Sequence, residues 1–135
     1  MLKKKGFTLP EVVITIAIVG ILSMVAVPVY RGYVNKSISS EGNALLAEIS
    51  AAEQIYYARQ GCFYATNNTE RESRALGVNA QRNKYFSSYT ITTSGNNSNP
   101  RYTVITKYNN DNSKALTLVG SLSEEPQITD NFSGK

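Results

Sequence analysis

The residue types that could do chemistry are few, and the most unusual is a glutamate inside an apolar run. Glu11 lies within the segment from Phe7 to Val29, whose other residues are almost all apolar. Burying an unpaired carboxylate in an apolar environment costs on the order of several kcal/mol. Two interpretations are open. Glu11 stabilises the N-terminus of its own helix through the helix dipole, or it pairs with a cation at the same depth.

A matching cation arises if the chain is cut between Gly6 and Phe7. The new α-amino group of Phe7 would be positively charged at neutral pH. In one helix this amine and the Glu11 carboxylate would be about 6 Å apart along the axis, so the amine of a neighbouring chain is the better partner. A contact from each chain to the next need not close into a ring, and it can then build a helical filament.

The other reactive side chains give little support to catalysis or to a metal site. The chain has no histidine and a single cysteine, Cys62, which excludes an internal disulfide and a Cys/His zinc site. We interpret Cys62 as a small, partly buried side chain, with an intermolecular bridge or an attachment point as the alternative. Because there is no nucleophile with a base and no phosphate-binding loop, we expect no enzymatic activity and no cofactor.

Two groups of oxygen-bearing side chains could bind calcium in principle. We favour a hairpin turn for the first group and a solvated tail for the second, since turns use the same residue types. The groups are Asn109, Asn110 and Asp111, and Glu124, Glu125 and Asp130.

The charge balance and the tyrosines do not indicate a nucleic-acid-binding protein. The formal net charge is +4, but without Lys3, Lys4 and Lys5 it falls to +1. The nine tyrosines could stack on single-stranded DNA, although such residues more often belong to a sheet core or a subunit contact. We therefore do not expect DNA binding.

The N-terminal part of the chain has the order of a membrane-inserted segment. Residues 1–6 form a basic leader, and residues 7–29 form an apolar helix of 23 residues. At helical rise this helix spans about 34 Å, enough to cross a bilayer core of about 30 Å. The same helix is predicted to continue over residues 30–58 as an amphipathic half, with bends at Gly20 and Pro28.

The amphipathic half has apolar residues at helical spacing and a charged opposite face. The apolar stripe consists of Val34, Ile38, Leu45, Ile49, Ala52 and Tyr56, and the opposite face is assigned Lys36, Glu41, Glu48 and Glu53. Such a stripe is predicted to cover the apolar face of another element.

The rest of the chain predicts a loop, a small sheet and a polar tail. Residues 59–84 have no clean period and are assigned to a partly ordered loop, with a helical turn possible over 71–76. Residues 85–120 predict an antiparallel meander with strands at 85–93, 101–108 and 115–120. Its alternating apolar face is given by Tyr89, Ile91, Tyr102, Val104, Leu116 and Leu118. Residues 121–135 are a tail with at most a short edge strand near Ile128. The predicted fold class is α+β, a long helix packed on a small antiparallel sheet.

The stretch Lys5-Gly6-Phe7-Thr8-Leu9-Pro10-Glu11 closely resembles the processing motif of type IV pilins and the related pseudopilins. The resemblance implies that a prepilin peptidase cuts between Gly6 and Phe7 and that Phe7 is then N-methylated. It also implies that Phe7 and Glu11 act in assembly, and that Gly20 and Pro28 are the family's helix-bending residues. The short leader and the phenylalanine start are similar to the type IVa class.

The resemblance implies a structural subunit rather than an enzyme. Its precursor would be held in the bacterial inner membrane and handed by the pilus assembly machinery to a helical filament of copies of itself, at the cell surface, for adhesion, motility or DNA uptake. Pro10 departs from the family's usual aliphatic residue, but proline is tolerated in a first helical turn. The family's frequent C-terminal disulfide cannot form with Cys62 alone. Two alternatives remain, a type II secretion pseudopilin in a short pseudopilus and a minor DNA-binding pilin.

Overall fold

The computed structural model describes residues 6–66 and 68–131. Most of the predicted leader, residues 1–5, lies outside the described residues, as do residue 67 and the end of the tail at 132–135. The described chain forms two compact units that divide between Val34 and Asn35, here called unit 1 and unit 2.

One long helix, α1, runs over Leu9–Gln60 and so contains both predicted helical segments. The helix continues without a break through Gly20 and Pro28. Bends at these two residues stay a prediction. The helix ends where Gly61 takes a positive φ of 74° and donates its backbone N–H to the Tyr57 carbonyl at 2.8 Å. A left-handed residue at this position terminates helices and favours glycine.

Unit 1 is an apolar helix whose side chains have no cover within the described chain. Its large apolar residues from Val12 to Val29 are each about half exposed or more. The hydroxyls of Thr15 and Ser23 donate to the carbonyls of Glu11 and Val19, each at 2.7 Å. A hydroxyl that donates to a carbonyl of its own helix does not need a water molecule as its hydrogen-bond partner. By length and composition, α1 contains a segment able to cross a membrane.

Unit 2 contains a four-stranded antiparallel sheet whose strands neighbour one another in chain order. Its strands are β3 (Tyr89–Asn96), β4 (Asn99–Tyr108), β5 (Asp111–Ser121) and β6 (Gln127–Asp130). Before the sheet, β1 (Glu72–Ser73) and β2 (Val78–Asn79) form a small hairpin, which a 3-10 turn at Ala80–Arg82 follows. The antiparallel meander and the edge strand around Ile128 are confirmed.

The core of unit 2 lies between the sheet and the second half of α1. All six residues predicted for the apolar face of the sheet are at most 1% exposed. From the helix, Ile38, Leu45 and Ile49 are buried, while Ala52 and Tyr56 are partly exposed at the margin of this core. Val34, the last residue of unit 1, is also partly exposed. The α+β prediction and the pairing of the two apolar faces are confirmed.

Glycine allows two close approaches in this core. At Gly42 on α1, a Cβ atom would collide with the side chains of Leu116 and Phe86. At Gly120 on β5, a Cβ atom would collide with the ring of Tyr102. The Tyr102 hydroxyl shares a 2.7 Å hydrogen bond with the Ser50 hydroxyl, so Gly120 leaves room for a ring that links sheet to helix.

Several local predictions are wrong, and each has a physical reason. Glu53 was assigned to the exposed helix face but is fully buried, because it follows Ile49 by four residues on the same face. The first strand begins at Tyr89 rather than residue 85. The N–H groups of Tyr85 and Phe86 donate instead to Glu41 Oε1, at 2.7 and 3.2 Å.

The loop at 59–84 also differs in detail from the prediction. Residues 71–76 form one arm and the turn of the β1–β2 hairpin rather than a helical turn. Cys62 is exposed rather than partly buried, since it follows the end of α1 and the next residue, Phe63, takes the core position. The predicted loop over 94–100 shrinks to Asn97 and Ser98, because Asn96 pairs with Asn99 in the β3–β4 hairpin.

Candidate functional site

The predicted processing and assembly residues lie together at the start of α1. Gly6, Phe7 and Thr8 precede the helix in a non-helical segment, and Phe7 is 88% exposed. A Cβ atom built on Gly6 would meet no atom within 4 Å. Among the described residues nothing therefore covers the Gly6–Phe7 peptide bond, as the predicted cleavage requires.

The Glu11 carboxylate lies next to this junction and bonds to Thr8. Its Oε2 atom accepts hydrogen bonds from the Thr8 backbone N–H at 2.8 Å and from the Thr8 hydroxyl at 2.7 Å. A carboxylate three residues inside the helix that reaches back to the N-cap amide is half of a capping box. In the uncut chain Glu11 thus caps the N-terminus of its own helix through Thr8, and its pairing with a cation stays a prediction.

Capping leaves the second Glu11 oxygen available. No hydrogen bond to Oε1 occurs within the ranges described, and the side chain is exposed. One oxygen can therefore stay on Thr8 while the other accepts from a cation. The Thr8 contribution was missed in the sequence, although the spacing Thr8-x-x-Glu11 is itself the signature of a capping box.

Several of the side chains considered for calcium bond to other residues of the protein. Asp111 Oδ1 accepts from the backbone and hydroxyl of Ser113, at 3.0 and 2.6 Å. Asn109 Oδ1 accepts from the Ser87 backbone and hydroxyl, at 3.2 and 2.9 Å. Glu124 forms an exposed ion pair with Arg101 at 3.4 Å. The Asp111 contacts are those of a turn, as predicted for the first group. That neither group binds calcium stays a prediction.

Glu53 is the most perturbed acid of unit 2 and was missed as such. Its Oε2 atom accepts from the Tyr64 backbone N–H at 2.9 Å, while Oε1 has no hydrogen-bond partner among the described residues. Burial raises the pKa of Glu53 to about 7, and the Tyr64 hydrogen bond only partly opposes this shift. Glu53 lies far in sequence from the Gly6–Phe7 junction. We expect it to affect the stability of unit 2 rather than processing or assembly.

The comparisons with known proteins agree with this N-terminal geometry. Residues 1–27 match the family described as the prokaryotic N-terminal methylation motif. The chain is 40% identical over 100 residues to fimbrial protein EcpC of Eikenella corrodens. This alignment covers 72% of this chain and 61% of that protein. The chain is 38% identical over 88 residues to type IV major pilin protein PilE1 of Neisseria gonorrhoeae, covering 65% and 40% respectively.

A shorter match supports the same grouping. The chain is 48% identical over 44 residues to the type IV major alpha-pilin of Moraxella bovis, covering 33% of this chain and 28% of that pilin. In each of these three cases the matched part is less than two thirds of the relative's length. No solved structure matches the chain. The chain therefore carries the prokaryotic N-terminal methylation motif over its first 27 residues, and over a larger part of its length it is similar to fimbrial proteins and type IV major pilins.

Proposed function

We propose that this chain is a structural subunit of a type IV pilus. A prepilin peptidase cuts between Gly6 and Phe7, Phe7 is N-methylated, and residues 7–29 hold the subunit in the inner membrane. The assembly machinery then moves it into a helical filament of identical subunits at the cell surface. The filament serves adhesion, motility or DNA uptake.

The observation that carries the proposal is the pairing of an uncovered apolar helix with an exposed carboxylate at its start. The bare side chains of unit 1 require an apolar environment, which either a bilayer or the packed helices of a filament supplies. The Phe7 amine of one subunit would meet Glu11 of the next and neutralise its charge in that environment. Exposure of Glu11 and of Phe7 is what such a contact requires.

The assembly step is tested by Glu11→Ala, with Glu48→Ala as the matched control. Glu48 is an exposed glutamate on the same helix. Glu11→Ala is expected to leave membrane insertion intact and to abolish filaments in electron micrographs of sheared surface material, whereas Glu48→Ala keeps them. Normal filaments from the Glu11→Ala strain would refute the assembly role.

Processing is tested separately by the intact mass of the mature protein. The chain is expected to begin at Phe7 and to carry one added methyl group on its amine. Replacing Gly6 by a larger residue should leave the leader attached. A mature protein that still contains Met1 would rule out cleavage at this junction.

A further inference from the structure

One end of the sheet in unit 2 brings lysine and tyrosine side chains together. We call it the lysine–tyrosine end, and it consists of Lys84, Tyr85, Lys107, Tyr108 and Lys114. Lys84 Nζ lies 5.0 Å from the centre of the Tyr85 ring, and the centres of the Tyr85 and Tyr108 rings are 5.9 Å apart. Lys84 and Lys107 are exposed.

Hydrogen bonds hold this end in place. Asn109 donates from its backbone to the Tyr85 carbonyl at 2.9 Å and from Nδ2 to the Lys84 carbonyl at 3.0 Å. These bonds tie the turn that follows β4 to the segment before β3. The lysines therefore project from a fixed part of the domain rather than from a loose loop.

The lysine–tyrosine end is also the end at which the chain enters unit 2. Glu41, six residues after Asn35, accepts hydrogen bonds from the backbone of Tyr85 and Phe86. The far end of the domain is marked by the later helix residue Glu53, which bonds to Tyr64. The lysines thus gather on the entry side.

Chain length limits how far this side can lie from the proposed membrane segment. Val29 lies twelve residues before Glu41, which bonds to this end of the domain, and twelve residues span at most about 40 Å even when fully extended. This limit holds at any angle of the domain. During the membrane storage proposed above, on which this inference rests, the entry side of unit 2 can therefore reach lipid headgroups.

The acidic side chains at this end keep their charges but are held in place by hydrogen bonds within the protein. Glu41 is bonded to two backbone N–H groups, Asp111 to Ser113, and Asp130 Oδ2 accepts from the Ser39 hydroxyl at 3.1 Å. Lys84 and Lys107, in contrast, are exposed, with Lys84 Nζ lying over the face of the Tyr85 ring. Their ammonium groups are free to meet an anionic surface, and the tyrosines suit the interface between lipid and water.

We propose that the lysine–tyrosine end docks on anionic phospholipid headgroups while the subunit is stored in the membrane. The lysines contact lipid phosphates, and Tyr85 and Tyr108 sit at headgroup level. Docking fixes the tilt of the domain before assembly, and it is released when the subunit leaves the bilayer. The interaction is electrostatic, so it weakens with salt and with loss of anionic lipid.

The test places a fluorescent label at the lysine–tyrosine end of the full-length chain. Asn110→Cys in a Cys62→Ser background carries the label, and the protein is reconstituted into vesicles with spin-labelled headgroups. With one third phosphatidylglycerol the headgroups are expected to quench the label, and pure phosphatidylcholine or 0.5 M salt should remove most of the quenching. A label at Ser123→Cys, in the loop after β5 at the opposite end of the sheet, should remain unquenched.

The lysines are tested by neutralisation. Lys84→Gln/Lys107→Gln is expected to lower the ratio of docked to undocked domain roughly fivefold per lysine. Arg59→Gln/Arg74→Gln removes two exposed positive charges elsewhere on unit 2 and should leave the ratio unchanged. An equal loss in both variants would overturn the assignment of the surface.

Flotation of the vesicles separates this inference from the proposed function. A chain that does not float with the vesicles refutes membrane storage, and docking falls with it. A chain that floats but shows no quenching refutes docking alone. The label could instead be shielded from quenching to a degree that rises with the number of proteins per vesicle and does not depend on lipid charge. That result would overturn lipid docking and assign the surface to a second copy of the chain.

Discussion

Units 1 and 2 use similar apolar residues in opposite ways. In unit 2, Leu46, Ile49 and Val104 are completely buried, whereas in unit 1 Ile14, Ile21 and Leu22 are each at least 60% exposed. Burial of an apolar side chain is worth about 1.5 to 3 kcal/mol. The apolar side chains of unit 2 are buried within the chain. Those of unit 1 can be buried only in lipid or against other subunits. Unit 2 is therefore stabilised by contacts within the chain, and unit 1 depends on its surroundings.

The largest expected effect sets one isoleucine of each unit against the other. Ile49→Ala should lower the free energy of unfolding of unit 2 by about 2 to 5 kcal/mol, because it leaves a cavity in a closed core. Ile21→Ala, the same change on the exposed helix of unit 1, should alter it by less than about 0.5 kcal/mol. Urea denaturation of the full chain in detergent micelles, followed by tyrosine circular dichroism, measures both. Equal losses would break the contrast between the units.

The next effect comes from the buried acid of unit 2. The folded-state pKa of Glu53 is about 7, above the value of 4.5 for an exposed glutamate. The folded state therefore binds the extra proton between these values, and stability falls as pH rises from about 4.5 to 7. The shift sets an upper limit of about 3 kcal/mol on the loss. It is complete above pH 7.

Glu53→Gln should remove this pH dependence. Glutamine stays neutral and can still accept the hydrogen bond from the Tyr64 backbone through its side-chain oxygen. The variant is expected to be more stable than the parent at pH 8 and similar to it near pH 4. Glu48→Gln, exposed on the same helix, should retain the slope. If Glu53→Gln keeps the parent's dependence of stability on pH, Glu53 is not the cause of that dependence.

A smaller effect is expected at Gly120. Gly120→Ala places a methyl group against the ring of Tyr102, and the ring must move away from Ser50. Overpacking of this kind costs about 1 to 3 kcal/mol. The matched change Gly20→Ala in unit 1 meets no atom within 4 Å and should leave unit 2 unaffected. The same denaturation experiment checks both, and a stable Gly120→Ala variant would show that the ring has room to shift.

Much of the fold was predictable because it depends on periodicity. Alternation identified Tyr89, Ile91 and Val104 as sheet core, and helical spacing identified Ile38 and Ile49 as their cover. The site was predicted for a different reason, and its role in assembly stays a prediction. A lone carboxylate in an apolar helix is costly enough that Glu11 needs a partner, whatever the fold around it.

The rest depends on contacts between segments distant in the chain. The first strand starts late because Glu41, more than 40 residues earlier, takes the N–H groups of Tyr85 and Phe86. Glu53 is buried because its helix face is decided by neighbours rather than by its charge. Gly120 is required by the ring of Tyr102 on the adjacent strand. Sequence pattern identifies which residues are apolar, but not which polar side chains the packed elements enclose.

The smallest effect is expected at the start of α1, where side-chain hydrogen bonds order unit 1. Thr8→Val removes the hydroxyl that donates to Glu11 and leaves the Thr8 backbone bond in place. An exposed cap of this kind is worth about 0.5 to 1 kcal/mol, so hydrogen exchange of the amide of residue 8 in micelles should accelerate roughly twofold to fivefold. Thr15→Val removes a hydroxyl that only returns to a helix carbonyl, and exchange at residue 8 should not change. If both variants behave alike, Glu11 is not oriented by Thr8 and reaches its partner without a preset geometry.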